Sequence, residues 1–326
     1  MGRCPMKRRL LFALLAAAAL TALFSLSWID SVHLKSSQWL NLADYSVSDT
    51  LYQKAGQGSK DILVIGIDEA SASVLSRRNM AKAITLLNAD PNNQPAVIGI
   101  DILYSGESED PEADRLLVDA VAQTDNVVVA SVALFGNDYA LDDKGYFRVV
   151  ERVVLGWEDP YPALSPVAGV GIINCMEDPD GIIRHSMLYA EDASRGRVFS
   201  FARVIYERWC EAANVSPAEL PSVSGDGFFY LPFSTDSGGY CDGFSFIDLL
   251  NGEIPSDFYR NIIVLIGPYA PGMQDSYPTS LDHAKPMYGI DIHANTIEAF
   301  QKGFFPREVK LVPQLVLLFL LLFFSS

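Results

Sequence analysis

Cysteine is scarce in this 326-residue chain: there are four, and Cys4 sits in a short basic tail, leaving Cys175, Cys210 and Cys241. Three cysteines allow at most one intramolecular bridge and leave one over, so no disulfide framework can be built on them. No CxxC and no Cys/His spacing marks a zinc site. GxSxG, HExxH and a Gly-rich phosphate loop with lysine are also missing, which removes the usual signatures of serine hydrolases, zinc proteases and P-loop enzymes. Basic residues are few. The tail holds four of the 24 Lys and Arg and none of the 40 Asp and Glu, so the rest carries 20 basic against 40 acidic residues, a net charge of −20. Such a surface repels phosphate backbones and excludes a nucleic-acid partner. A small cationic or neutral ligand suits it better. Low-complexity tracts are absent, and a composition 49% hydrophobic and 20% charged is that of an ordinary globular interior.

What the chain does have is two long apolar runs. Leu10 to Trp28 reads LLFALLAAAALTALFSLSW without a charge, after a tail containing Arg3, Lys7, Arg8 and Arg9. Leu311 to Phe324 reads LVPQLVLLFLLLFF. A bilayer core takes about 20 apolar residues in a helix. The first run meets that length, and the second reads as the start of a span cut off part-way. A cleaved signal peptide ending at Ser25-Leu26-Ser27 is the competing reading of the first run, but its apolar stretch exceeds the roughly 7–15 residues of such peptides. Lys and Arg are retained on the cytoplasmic side. The expected organisation is therefore a cytoplasmic tail at 1–9, a transmembrane helix at 10–29, an extracytoplasmic domain at 30–308 and a second, truncated span at 309–326.

Between the runs, Asp30 to Gln53 reads as a helical continuation of the first span, broken by Gly56-Gln57-Gly58-Ser59. DILVIGID (Asp61 to Asp68), AVIGIDIL (Ala96 to Leu103), NVVVASV (Asn126 to Val132) and NIIVLIG (Asn261 to Gly267) are β-branched runs of the kind found in strands buried on both faces. Helical patterns separate the first three. The first has Val74, Leu75, Ile84 and Leu87 on its inner face, and the second is Pro111 to Gln123. Phe199 to Ala213 and Ile290 to Lys302 complete the helices. The pattern predicts an α/β domain with a central, mainly parallel sheet flanked by helices. Phe135 to Pro166, rich in Gly, Asp, Pro and aromatics, reads as a long loop or lid. Asp178-Pro179-Asp180-Gly181, between the apolar runs Gly169–Asn174 and Ile182–Tyr189, predicts a β-hairpin insertion.

Ligands of open parallel sheets bind beyond the carboxyl ends of the strands. Asp68, with Glu69 beside it, and Asp101 end two strands, and Asp275 and His293 follow the last. Carboxylates with an imidazole can bind an amine or a divalent cation. The plainer reading is that Asp68 caps its helix, Asp101 bonds turn amides, and Arg184 pairs with Asp178 or Asp180. No catalytic residue and no cofactor is assigned.

VIGIDEAS (Val64 to Ser71), VIGIDILYS (Val97 to Ser105), DPDGIIR (Asp178 to Arg184), IVLIGPYAPGMQDSYPT (Ile263 to Thr279) and GIDIHANTIEAF (Gly289 to Phe300) occur in that order between two apolar runs. Together they resemble the second class of CHASE domains, the extracytoplasmic sensors of bacterial cyclases and kinases. The resemblance covers about Asp44 to Gly303. It departs at the Trp-Pro element usual after the first helix, where this chain has Leu75-Ser76-Arg77-Arg78-Asn79. The resemblance implies a receptor input module: one span before the domain, usually three after it, then a cytoplasmic output domain (adenylate cyclase, diguanylate cyclase or kinase). A homodimer in the bilayer is the expected assembly. Two other classes fit the residues: an exported metal-dependent hydrolase using Asp68, Asp101 and His293, and a ligand-independent dimerisation domain.

Overall fold

In the computed structural model, the residues described are 14–15, 17–22, 49, 54–141, 146–223, 225, 227–306 and 311–325. Lys54–Pro306 forms one compact unit, and the two ends of the chain form another.

The unit Lys54–Pro306 opens with strand β1 (Ile62–Ile67), the short helix α1 (Glu69–Ala72) and helix α2 (Arg77–Leu87). The single helix expected here is broken, because Ser76 adopts an extended backbone and accepts a hydrogen bond from Asn79 N–H to cap α2. Strand β2 (Val97–Ile100) and helix α3 (Pro111–Ala122) follow; Asp110 caps α3, and Pro111 occupies its first turn, where no amide hydrogen is needed. Then come β3 (Val127–Leu141), β4 (Phe147–Glu158), β5 (Gly169–Ile172), β6 (His185–Met187), β7 (Tyr189–Asp192) and β8 (Gly196–Phe199). Helix α4 (Phe201–Ala213), β9 (Phe228–Tyr230) and α5 (Phe246–Asn251) lead to β10 (Ile263–Pro268). The short strands β11 (Ser276–Tyr277) and β12 (Met287–Tyr288) precede α6 (Gly289–Lys302).

β1, β10, β2, β3 and β5 lie side by side and parallel. The chain's last long strand, β10, is thus inserted between its first two, and β2 is central. Alternate side chains feed two cores. Leu63, Ile65 and Ile67 of β1 pack with Met80, Ile84 and Leu87 of α2, Leu117 and Val121 of α3, and Leu249 of α5. Ile62 and Val64 pack on the other face with Phe201 and Ile205 of α4 and Ile290 and Ile297 of α6. Both faces are covered, so every residue of β1 and β2 is buried. Each such Ile, Leu or Val contributes about 1.5–3 kcal/mol. Gly171 lets α4 dock closely, since a Cβ there would lie 2.5 Å from the Phe201 Cα.

Two expectations need correction. Most of Phe135–Pro166 is no loop: the second half of β3 and all of β4 form a long antiparallel arm. Asp159–Pro166 keeps the turn structure expected, and residues 142–145 lie outside the described set. Its glycine and aspartate sit at register shifts, between Leu134 and Phe135 and between Gly136 and Asp138, so the turn-like composition reflects bulges within strands. The hairpin expected around Asp178–Gly181 does not form either. The turn closes as read, with Gly181 N–H donating to the Asp178 carbonyl at 2.8 Å. Its two arms, however, join different sheets: β5 pairs with β3, and β6 pairs with β9. A hairpin does occur later, as β7 with β8.

Arg184, 1% exposed, forks onto Asp180 with two bonds of 2.9 Å and reaches Asp178 at 3.3 Å. The neighbouring Ile183 N–H donates to the Pro278 carbonyl, tying this turn to the segment after β10. Cys175, Cys210 and Cys241 are free thiols.

Of the chain ends, Leu311–Ser325 is a helix of 15 residues, here α7. In the first apolar run only positions 14, 15 and 17–22 are described, and these are helical. The continuation expected over Asp30–Gln53 lies outside the described residues apart from Asp49. Among the described residues no helix is long and apolar enough to cross a membrane.

Candidate functional site

A cavity of about 530 Å³ opens at the carboxyl edge of the parallel sheet, where ligands of such folds collect. Five strands deliver its walls as they end: β1 through Ile67, β2 through Asp101 to Leu103, β3 through Val132, β5 through Ile173 to Cys175 and β10 through Pro268. The segment after β10 adds Met273, Asp275 and Tyr277, and the first turns of α6 add Gly289 and His293. Leu75, ahead of α2, closes one side.

Most of the polar side chains are held by identifiable contacts. Asn174 bonds both the N–H and the carbonyl of Ala133 at 2.9 Å, which fixes β3 as it leaves the sheet. The His293 ring lies by the Ile173 carbonyl, which favours its protonated form, and is set edge-on against Phe201, centroids 5.4 Å apart. Gly289 permits the approach of Asp275; a Cβ there would stand 2.6 Å from both carboxylate oxygens. Gly289 N–H donates to the Asp275 main-chain carbonyl at 3.2 Å, and this N–H and the Tyr277 hydroxyl both favour the Asp275 carboxylate. Asp101 is 5% exposed, and its Oδ2 stands 3.9 Å from His293 Nε2, too far for a hydrogen bond.

Every titratable group in the cavity is pushed towards its uncharged form, with burial the leading cause. Burial, then the nearby Asp275, raises Asp101 well above the carboxylate range. Burial raises Asp275 against the opposing bonds from Tyr277 and Gly289. It raises Cys175, with Asp275 and Asp101 adding to the effect, and so keeps a thiol instead of a reactive thiolate. The Tyr277 phenol moves up for the same first reason. Burial lowers His293 to about 4, only partly offset by its bond to Ile173, leaving a neutral imidazole.

The structure thus brings together Asp101, Asp275 and His293 of the residues singled out in the sequence. It does not bring Asp68 or Glu69 to them. The Asp68 carboxylate accepts from Ser71 N–H at 2.8 Å as the cap of α1, and Glu69 is exposed in that helix's first turn. Among the described residues no three His, Cys, Asp or Glu side chains are grouped to hold a metal ion. Asn174, Cys175 and Tyr277 were not anticipated. The carboxyl-edge rule would have found the first two had Gly169–Ile172 been read as a sheet strand.

Over residues 15–326 the sequence matches the family model of the CHASE2 domain. The chain belongs to the CHASE2 family. CHASE2 domains are sensory domains found in signalling receptors. No curated protein and no solved structure matches the chain. In this CHASE2 domain the residues standing in place of the Trp-Pro element have defined contacts. Leu75 lines the cavity, Ser76 caps α2, and Arg77 pairs with Asp114 while stacking 4.6 Å over the Tyr161 ring.

A second polar set runs down α6 away from the cavity. Asn295 Oδ1 accepts from Ser234 N–H at 2.7 Å and Thr235 N–H at 3.2 Å. Glu298, 3% exposed, accepts from Ser59 N–H at 3.0 Å and from the Tyr240 hydroxyl at 2.5 Å, and pairs with Lys302 at 2.7 Å. The start of the compact unit and its closing helix therefore share one carboxylate.

Proposed function

We propose that this CHASE2 domain is the extracytoplasmic input module of a bacterial transmembrane receptor, binding a small ligand in the cavity at the carboxyl edge of its sheet. In this reading residues 30–308 lie outside the cytoplasm, held by spans at 10–29 and from 309 onwards, and the signal passes to a cytoplasmic cyclase, diguanylate cyclase or kinase. One observation carries it. Helix α6 contributes Gly289 and His293 to the cavity wall, and after only Gly303 to Lys310 the chain enters the apolar helix α7. Pro306 stiffens that connection. The basic tail supports the orientation, since arginine and lysine stay on the cytoplasmic side. Exposed apolar side chains on the β3–β4 arm, among them Tyr139 and Leu155, support assembly as a homodimer. Ligand binding shifts such a receptor only by its difference in affinity for two arrangements, typically about 1–3 kcal/mol.

The test is a flexible Gly/Ser insertion between Lys302 and Phe304 in the full-length receptor. The expected result is retained ligand binding with loss of output control. Unchanged control overturns the proposal.

A further inference from the structure

We infer that the cavity takes a singly charged organic amine, its ammonium group set against Asp101 and its apolar body along Ile67, Leu103, Val132 and Ile173. The inference rests on the sensory reading of this cavity and names its ligand class.

Asp101 carries the argument. It stands where β2 ends, 95% removed from solvent, and among the described residues nothing donates a hydrogen bond to its carboxyl group. A carboxyl group buried without donors carries a standing cost, so its retention in a cavity wall calls for a donor that arrives from outside. A second carboxyl, Asp275, faces the same space and acts on Asp101 electrostatically. Among the described residues no lysine or arginine lines the cavity. The basic side chain among the described lining residues is His293, which burial holds neutral against the opposing pull of the Ile173 carbonyl. Two acids therefore meet in a wall with no cation.

The remaining lining decides which cation fits. It is chiefly aliphatic, with Met273 and the Tyr277 ring, which favours a ligand with an apolar body. A bare divalent ion needs several oxygen ligands, and no three-ligand group is assembled among the described residues. An alcohol or amide body would fill the space, yet gives Asp101 at most a neutral hydrogen bond. An ammonium gives a charge-assisted one, about twice as strong. The acidic domain surface also raises the local concentration of cations at its mouth.

Binding has a proton balance. Burial and the nearby Asp275 disfavour the Asp101 anion and shift the group towards its uncharged acid. An ammonium beside it replaces the acid proton as counter-charge, and that proton leaves to solvent. Of the other groups facing Asp101, the Cys175 thiol and the Tyr277 phenol stay protonated, His293 stays neutral, and Asp275 keeps its bonds from Tyr277 and Gly289. Affinity for amines should accordingly weaken as pH falls.

The experiment is titration calorimetry on the 326-residue chain in detergent micelles, in two buffers of different ionisation enthalpy. The probes are 2-phenylethylamine and cyclohexylmethylamine, each against its alcohol isostere. The expected result is that an amine binds about tenfold or more tighter than its alcohol, with about one proton released per ligand. Asp101→Asn should erase the preference while still binding the alcohol, and a melting temperature at or above that of the parent chain verifies its fold. Equal binding of amines and alcohols, a preference that survives Asp101→Asn, or no amine binding at all overturns the inference. Val132→Trp in the full-length receptor separates this from the sensory reading. If filling the cavity alters output while amines fail, only the ligand class is wrong; if output is also unmoved, both readings fall.

Discussion

Replacing Arg184 by methionine should destabilise the domain severely, and by a route that can be read from pH. The guanidinium is 1% exposed, and the two carboxylates it serves, Asp178 and Asp180, are 10% and 12% exposed at their side chains. Methionine keeps most of the stem's volume, so the loss falls on charge and not on packing. Two carboxylates are left in the interior without their counter-charge, although Asp178 keeps its contact with His185 Nδ1 at 3.0 Å. Breaking a buried pair from one side costs about 3–5 kcal/mol. For a domain of this size that amounts to a fall in melting temperature of roughly 10 °C. Burial by itself raises Asp180, but the Arg184 bonds prevail and hold it below the usual carboxylate range. A carboxylate with a depressed folded pKa gives stability that is present above its unfolded value, 3.8, and is lost as pH falls through the lower folded value. The gap between parent and variant should therefore be widest near neutrality and close below about pH 4. Urea unfolding followed by circular dichroism at several pH values measures it. Adding Asp178→Asn and Asp180→Asn to the variant should recover much of the loss. A deficit under about 1 kcal/mol, or one unchanged between neutral and acid pH, refutes the reasoning.

His293 and Gly289 give two further tests. His293 falls from its ordinary 6.5 to about 4 on folding, so the unfolded chain binds a proton that the folded one refuses. Its own contribution, full above pH 6.5, should drop by about 3 kcal/mol on descending to pH 4, against the opposing gain from the raised Asp101 and Asp275. His293→Gln, which keeps an N–H for Ile173, should flatten that part of the stability profile, and an unchanged slope in thermal melts rejects the assignment. Gly289→Ala pushes a methyl group into the Asp275 carboxylate and should cost about 1–3 kcal/mol. Gly272→Ala, with open space around it, should stay within about 0.5 kcal/mol in the same melts.

The sheet was readable because its strands are buried on both faces. Ile62–Ile67, Val97–Ile100 and Ile263–Pro268 are unbroken apolar runs that no exposed element tolerates. The helix expected from Pro111 likewise forms, and the structure adds Asp110 as its cap. Composition misled where a strand stands clear of the core. In the β3–β4 arm little apolar burial constrains the sequence, and Gly136 makes room for the Leu155 side chain, so bulges took on the look of a loop. At Asp178–Gly181 the local turn chemistry was right, but the partners of β5 and β6 are chosen by distant strands, which local pattern does not encode. The same limit explains the site. Asp101 and His293 follow from strand ends and helix starts, whereas Asp68 ends a strand equally well and turns back to cap α1. Cys175 and Tyr277 carry no local signal, and only the pairing of β5 with β3 and the fold of the segment after β10 set them in the cavity wall.

If α6 moves as the proposed function requires, the carboxylate it shares with Ser59 would act as an off-centre fulcrum. Gly289, at the cavity, lies nine residues before Glu298, about 14 Å along the axis at 1.5 Å per residue. Lys302 lies four residues beyond it, about 6 Å. Tilting the long arm by 1 Å at the cavity swings the short arm by roughly 0.4 Å in the opposite sense. The movement is reduced, and by the same ratio the force is multiplied. On the proposed reading a gentle displacement at the cavity end would reach the far end of α6 as a small, stiff stroke, opposed there by the hydrogen bond from Lys302 Nζ to Ser234 Oγ at 3.0 Å.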